Sequence, residues 1–183
     1  MVLDKIKNFK RKDLAKRFAD LGLNKGVEVG VRNGRYSETL CLKNPNIKLW
    51  SVDPYDIIYG DVRTEKTGVR KHNENYERAK KKLSPYNCKV VKKTSLDAVK
   101  DFDYESLDFV YIDGSHEFDY VMCDIIEWGK RVKKGGIISG HDYYRFVHAG
   151  IVEAVNLYCK MHKVKKINLT DEKTPSWWIK KTW

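Results

Sequence analysis

The sequence predicts a doubly wound α/β protein with a seven-stranded sheet, six strands parallel and the seventh antiparallel, and with helices on both faces. Short apolar runs typical of buried strands alternate with segments whose apolar residues recur at helical spacing. The last two apolar runs, 164–169 and 176–182, are joined by a turn too short for a crossover helix. The last strand should therefore pair with its neighbour as a hairpin.

Seven runs are interpreted as strands, because each is apolar and is bounded by glycine or polar residues. In chain order they are 26–31, 47–53, 88–93, 106–113, 135–140, 164–169 and 176–182. Between them, helical spacing predicts helices through 36–42, 73–83, a short one from about Leu96, a longer one after 118, and 147–162.

The N-terminal segment 1–25 is predicted to be helical, because Leu14, Phe18 and Leu21 fall at helical spacing before Gly22. The polar, aperiodic segment 54–72 is long for a loop inside a compact domain. Its place directly after the second strand suits a lid over a ligand, with Tyr55, Tyr59 and Arg63 as candidate contacts; a plain surface loop is the alternative.

Composition indicates one globular domain over residues 1–183, with 42% hydrophobic and 33% charged residues and no linker or repeat. No apolar run approaches the roughly 18–20 residues needed to span a bilayer, and the basic N-terminus has no apolar signal region, so a cytoplasmic location is expected. The four scattered cysteines form no CxxC pair and are interpreted as reduced and mostly buried.

The net charge of +11 requires an interpretation. A basic patch on one face would favour nucleic acid or another polyanion. The lysine clusters are instead spread along the whole chain, which is more typical of a solvated lysine-rich surface.

Two strand ends carry the residue types that hold a nucleoside. The first strand runs into Glu28-Val-Gly30-Val-Arg-Asn-Gly34, where glycines allow the backbone to approach a ligand. The second strand ends in Asp53, about 20 residues further on, where such folds hold a ribose diol. Either feature alone is weak, since a glycine turn or a helix cap would explain it, but together they favour a nucleoside cofactor.

Polar side chains also follow the fourth and fifth strands. Asp113 and His116 come after the fourth, and His141 and Asp142 come after the fifth. Parallel strands place their carboxyl ends at one edge of the sheet, so these groups should converge there. The alternative is structural, with Asp113 capping a helix that starts near Ser115 and His116 on its surface.

The ExGxxxG motif, the acidic end of the second strand and the antiparallel last strand resemble the class I S-adenosyl-L-methionine (SAM)-dependent methyltransferases, from Gly26 onward. The stretches YIDGSHEFDYVMCDI and KKGGIISGHDY resemble the small-molecule O-methyltransferase branch, which includes macrolide- and aminocoumarin-sugar O-methyltransferases, with cephalosporin-hydroxylase-like proteins nearby. The resemblance implies a Rossmann-like domain that binds SAM. The cofactor-binding residues it implies are Glu28, Gly30, Gly34, Asp53, Thr94, Ser95 and Asp113, with Thr94 and Ser95 near the adenine.

In the resembling sugar methyltransferases, a carboxylate at the Asp113 position and an acidic pair after the fifth strand hold Mg²⁺, and the histidine at the His116 position is the general base. The metal ligands implied here are Asp113, His141 and Asp142. His141 stands where that family has a carboxylate, and a nitrogen ligand suits Mn²⁺, Fe²⁺ or Zn²⁺ better than Mg²⁺.

The leading hypothesis is a SAM-dependent O-methyltransferase that acts on a small hydroxylated acceptor, plausibly a sugar or glycoside, with divalent Mg²⁺ or Mn²⁺. One alternative is an RNA methyltransferase. The Asp113-Gly-Ser-His sequence argues against those RNA enzymes that carry Asn/Asp-Pro-Pro-aromatic after the fourth strand. Another alternative is a SAM-binding module without turnover; a homo-oligomer is compatible with each of these.

Overall fold

The computed structural model describes residues 1–56, 65–147 and 149–183. Its strands are β1 (Val2–Lys5), β2 (Lys25–Val29), β3 (Lys48–Val52), β4 (Cys88–Val91), β5 (Leu107–Ile112), β6 (Val132–Gly140), β7 (Lys166–Leu169) and β8 (Trp177–Lys180). Its helices are α1 (Arg11–Asp20), α2 (Arg35–Lys43), α3 (Glu65–Leu83), α4 (Ser95–Ala98), α5 (Phe118–Arg131) and α6 (Ile151–Met161), with a 3₁₀ turn at Val99–Asp101 after α4.

All described strands form one sheet in the order β1-β7-β8-β6-β5-β2-β3-β4. β8 runs antiparallel to both β6 and β7, as the short final turn predicts, and the other pairings are parallel. From β2 the chain proceeds outward to β3 and β4, and it then returns to β5 on the other side of β2. This reversal creates the crevice in which open α/β sheets bind ligands.

The prediction of seven strands is wrong, because the described part of the chain has eight. The additional strand is β1, where a helix was expected, and it pairs in parallel with β7 from Val2↔Lys166 to Lys5↔Leu169. β1 lies at the sheet edge with mostly exposed side chains, so its sequence shows no buried apolar pattern. Its backbone groups complete an edge of β7 that would otherwise remain unpaired.

The loop predicted over 54–72 is shorter in the structure, because α3 already begins at Glu65. Glutamate, lysine and arginine favour helix, and extending an existing helix is cheap once it has nucleated, so the helix continues beyond the periodic stretch 73–83. Residues 57–64, with Tyr59 and Arg63, lie outside the described residues. Tyr55 is buried and packs its ring 5.0 Å from that of Tyr76.

Apolar cores lie on both faces of the sheet. α5 and α6 cover one face and α1 and α2 the other, where Leu14 and Phe18 are buried while Leu21, expected on the same stripe, is exposed. Trp177 and Trp178 of β8 are buried in the core.

The described cysteines are all free. Cys41 and Cys159 are buried and Cys88 is partly buried, whereas Cys123 is exposed, contrary to expectation. No helix in the described ranges combines the length and the apolar character that a membrane span requires.

Candidate active site

A cavity of about 1080 Å³ opens at the carboxyl ends of β2 to β6. The sequence-predicted residues that line it are Glu28, Gly30, Asp53, Thr94, Ser95, Asp113, His116, His141 and Asp142. They come together because five parallel strands end at the same edge of the sheet, on either side of the reversal in strand order.

The turn after β2 depends on Gly30. Its φ of +86° is one that L side chains rarely adopt, and a Cβ there would lie 2.0 Å from the carbonyl oxygen of Asp113. Gly30 thus lets the loops after β2 and β5 touch. Gly34, predicted to bind cofactor, is the N-cap of α2 and is not among the residues that line the cavity; a Cβ there would meet Ala79 and Leu83 of α3.

Asp53 orders the same turn. One of its oxygens accepts hydrogen bonds of 2.9 Å from the backbone N–H groups of Val31 and Arg32, and the other accepts one of 2.8 Å from Tyr55. A carboxylate has about four acceptor positions, so these three bonds leave room for a further donor from the cavity.

Glu28 forms a buried wall of the cavity, with 1% of its surface exposed. Ser37 of α2 donates a hydrogen bond to the carboxylate, and Ser51 of β3 donates in turn to Ser37 over 2.9 Å. Burial raises the pKa of Glu28 to about 8, against the lowering effects of Ser37 and Arg11. The Glu28 carboxyl is therefore mostly protonated at pH 7 even with the Arg11 guanidinium nearby.

Four side chains form a connected row on the other side of the cavity. His141 Nδ1 lies 3.7 Å from Asp113 Oδ1 and 3.1 Å from Asp142 Oδ1, while Asp142 Oδ2 lies 3.1 Å from His116 Nε2. One ligand atom from each of Asp113, His141 and Asp142 can be chosen so that all three lie within 4.8 Å of one another. The spacing and the oxygen and nitrogen donors suit a divalent cation.

The charges in this row are set by their neighbours. Burial raises the pKa of Asp113 despite the opposing effects of Arg11 and His141. Although burial alone would raise the pKa of Asp142, hydrogen bonds to His116 and His141 hold it well below the ordinary range. The hydrogen bond to Asp142 raises the pKa of His116, whose ring also contacts Phe146 edge-on at 5.3 Å.

The alternative in which Asp113 caps a helix is wrong. α5 begins at Phe118 with Glu117 as its N-cap, and no side chain caps it. The Asp113 side chain instead faces Arg11 and His141 across the cavity.

Arg11 is a site residue that the sequence reasoning missed. Its Nη2 lies 2.6 Å from Asp113 Oδ2, and its guanidinium stacks 3.9 Å from the ring centre of Tyr36 and 4.8 Å from that of Tyr111. Its buried Nε has no hydrogen-bond partner among the described residues. In the sequence Arg11 stands within Lys10-Arg11-Lys12, which has the appearance of surface charge, so no local signal marks it.

Asp124 is a second missed residue, and a signal for it exists. It lies on the same face of α5 as Val121, Ile125 and Trp128, where an apolar residue is expected. It is 6% exposed, lines the cavity and accepts a hydrogen bond from Ser95.

The comparisons with known proteins identify the family of the chain. A family profile described as "Methyltransferase domain" matches residues 27–143, more than half of the chain. Among curated proteins, none matches the sequence significantly.

Solved structures share the fold at low sequence identity. An O-methyltransferase from Bacillus cereus in complex with S-adenosylhomocysteine (SAH) aligns with a TM-score of 0.62 and 15% identity over 93% of this chain and 80% of that chain. The N-methyltransferase NodS from Bradyrhizobium japonicum aligns at 0.65 and 12% over 94% and 95%. A protein from Clostridium thermocellum described as an rRNA methylase aligns at 0.66 and 15% over 97% and 99%.

These three neighbours differ in the acceptor that their names give, so the shared fold leaves the acceptor open. The profile match covers every predicted site residue from Glu28 to Asp142. The chain therefore belongs to the methyltransferase domain family.

Proposed function

We propose that the protein is a SAM-dependent O-methyltransferase that methylates a hydroxyl of a small molecule with the assistance of a divalent cation. The observation that carries this proposal is the grouping of Asp113, His141 and Asp142, with ligand atoms within 4.8 Å of one another, beside His116 in the cavity. Such a set can bind a hydroxyl and assist its deprotonation, which O-methylation requires.

The cavity suits SAM in size and in the position of its polar groups. Its volume of about 1080 Å³ is at the upper end of ordinary cofactor sites, which leaves room for an acceptor. Glu28 can face the methionine ammonium group, the backbone at Gly30 can pass close to the cofactor, and Asp53 has an acceptor position left for the ribose. SAM supplies an electrophilic methyl group on a sulfonium.

The donor set also suits a divalent cation. Asp113 has one oxygen beside Arg11 and its other oxygen toward His141 Nδ1. Asp142 likewise has one oxygen beside His116 and its other oxygen toward His141 Nδ1. A cation bound at those three atoms would lower the pKa of the acceptor hydroxyl. Because one ligand is a nitrogen, Mn²⁺ is a better expectation than Mg²⁺.

His116 is the proposed general base. In the neutral tautomer that donates from Nε2 to Asp142, its Nδ1 lone pair is available to accept a proton. The hydroxyl proton would move to Nδ1, while bound SAM would supply its methyl group to the acceptor oxygen and leave as SAH. Asp142 stabilises the imidazolium that results, consistent with the raised pKa of His116.

The acceptor class we favour is a sugar or glycoside, as the sequence resemblance implies. RNA is the second candidate, supported by the net charge of +11. If RNA is the acceptor, its binding should weaken steeply as salt rises, because each lysine–phosphate contact releases counterions.

The proposal is tested by SAH formation from SAM with a panel of glycosides, catechols and RNA. Activity on a hydroxylated small molecule should be lost with EDTA and restored by Mn²⁺ or Mg²⁺. His116→Ala should lower kcat by about 10²–10⁴-fold, the usual worth of a general base, while SAM affinity is kept. His162→Ala is the matched control, since His162 stacks on Trp183 away from the cavity. Turnover that is unaffected by EDTA and by His116→Ala would refute the proposal.

A further inference from the structure

Asp124 is a buried carboxylate that the proposed mechanism leaves without a role. Its neighbours on α5, Val121, Ile125 and Trp128, are almost fully buried. No ion pair reaches Asp124 from any described residue, and burial raises its pKa to about 6. An acid on an apolar helix face reduces stability, so its position requires another explanation.

Hydrogen bonds hold the Asp124 carboxylate in one orientation. Trp128 Nε1 donates to Ser95 Oγ over 2.8 Å, and the Ser95 hydroxyl donates to Asp124 Oδ1. Ser95 is fixed in turn as the first residue of α4, behind the N-cap Thr94. One carboxylate oxygen is thus occupied by the Ser95 hydroxyl, which Trp128 holds in place.

The other oxygen, Oδ2, lies on the side of Gly114, which also lines the cavity. It lies 3.8 Å from the position that a Cβ on Gly114 would occupy, directly after β5, and Asp124 lines the cavity together with Thr94, Ser95 and Cys123. No hydrogen-bond donor among the described residues reaches it. The site therefore presents an oriented, desolvated acceptor to whatever occupies this end of the cavity.

The position in the sheet indicates which part of the ligand lies there. Asp53 follows β3, and Thr94 and Ser95 follow the adjacent strand β4. Neighbouring strands are about 4.8 Å apart, so a nucleoside whose ribose lies at Asp53 is long enough for its base to reach the Ser95 end. A base with an exocyclic amino group presents a donor there, whereas one with a carbonyl presents an acceptor.

We propose that Asp124 Oδ2 accepts a hydrogen bond from the exocyclic amino group of the cofactor's adenine, and that this contact makes the site select adenine over a 6-oxopurine. The inference rests on the proposed function, since it takes SAM as the ligand. It assigns a specificity role to a residue of α5, in addition to the residues at the strand ends.

The experiment compares the affinities of the full-length protein for SAH and for S-inosylhomocysteine, in which a carbonyl replaces the amino group, by isothermal titration calorimetry at pH 8. The wild type should prefer SAH by about 10–100-fold, the usual worth of a hydrogen bond to a charged group. Asp124→Asn should abolish or reverse the preference, because its amide can donate to the carbonyl.

Asp124→Ala serves as a second variant, since it can pair with neither base and should bind the two ligands about equally. Asp119→Asn is the control, because Asp119 is exposed on the same helix and should leave the preference unchanged. If both Asp124 variants still prefer SAH over S-inosylhomocysteine as the wild type does, this inference is overturned and the proposed function is left standing. A wild-type protein that binds neither SAM nor SAH would overturn the proposed function itself.

Discussion

Replacing Asp124 with asparagine should stabilise the folded protein, and the gain should grow with pH. In the unfolded chain the carboxyl ionises near 3.8, whereas burial raises its pKa in the fold to about 6. The folded state therefore retains a proton that the unfolded state has lost, so this residue lowers stability as pH rises through that interval. At 1.36 kcal/mol per pKa unit, the cost above pH 6 is about 3 kcal/mol.

The asparagine variant avoids this cost, and its carbonyl can still accept from Ser95. Its free energy of unfolding should exceed that of the wild type by about 3 kcal/mol at pH 8 and by about half as much at pH 5. Urea denaturation with matched slopes at the two pH values measures this difference. The control is Asp119→Asn, which replaces an exposed aspartate of the same helix. An Asp124→Asn protein with the same gain at pH 5 and pH 8, or with a loss at pH 8, would refute the reasoning.

Three further predictions follow from the site. Because burial raises the pKa of Glu28 to about 8, the carboxyl is mostly protonated at pH 7, and SAM binding should release up to about one proton per SAM when the ligand's ammonium group stabilises the carboxylate. Calorimetry in buffers of different ionisation enthalpy measures the proton release, which should vanish in Glu28→Gln. Binding heats of the wild type that do not depend on the buffer would contradict this prediction. Gly30→Ala should lower the free energy of unfolding by about 2–3 kcal/mol, because its Cβ would lie 2.0 Å from the Asp113 carbonyl; an unchanged urea midpoint is the contrary result. Arg11→Met removes the positive charge 2.6 Å from Asp113 and should tighten Mn²⁺ binding by roughly tenfold in a metal titration. Arg11→Lys keeps the charge and should leave Mn²⁺ affinity unchanged. Equal or weaker Mn²⁺ binding in Arg11→Met would count against the metal site.

Most of the predicted site residues line one cavity, and this could be expected because a parallel sheet simplifies the problem. Once strands and helices alternate, the polar residues that follow the strands must gather at one edge, and so Asp53 and Asp113 line one cavity although 60 positions separate them. The periodic apolar runs also predict the antiparallel β8, since a short turn allows no other direction.

Other parts of the structure left weak traces or none in the sequence. β1 is exposed at an edge, so its formation depends on the backbone of β7 rather than on a pattern of its own side chains. Arg11 reaches Asp113 across 102 positions, and nothing near either residue indicates the pairing. Asp124 did leave a trace, because an acid interrupts the apolar stripe of α5, and such an interruption marks a position where function outweighs stability.

The attachment of the N-terminal segment has a consequence for how the protein acquires activity. β1 pairs with β7 across more than 160 positions, and Lys5, Asn8 and Lys10 all contact Asp171 in the connection between β7 and β8. Contacts this distant in sequence close large loops and are slow to form. Arg11 lies at the end of that segment, so it should reach Asp113 only when the chain has finished folding. During refolding, methyl transfer should therefore recover later than helical content, and catalysis would report on the last step of assembly.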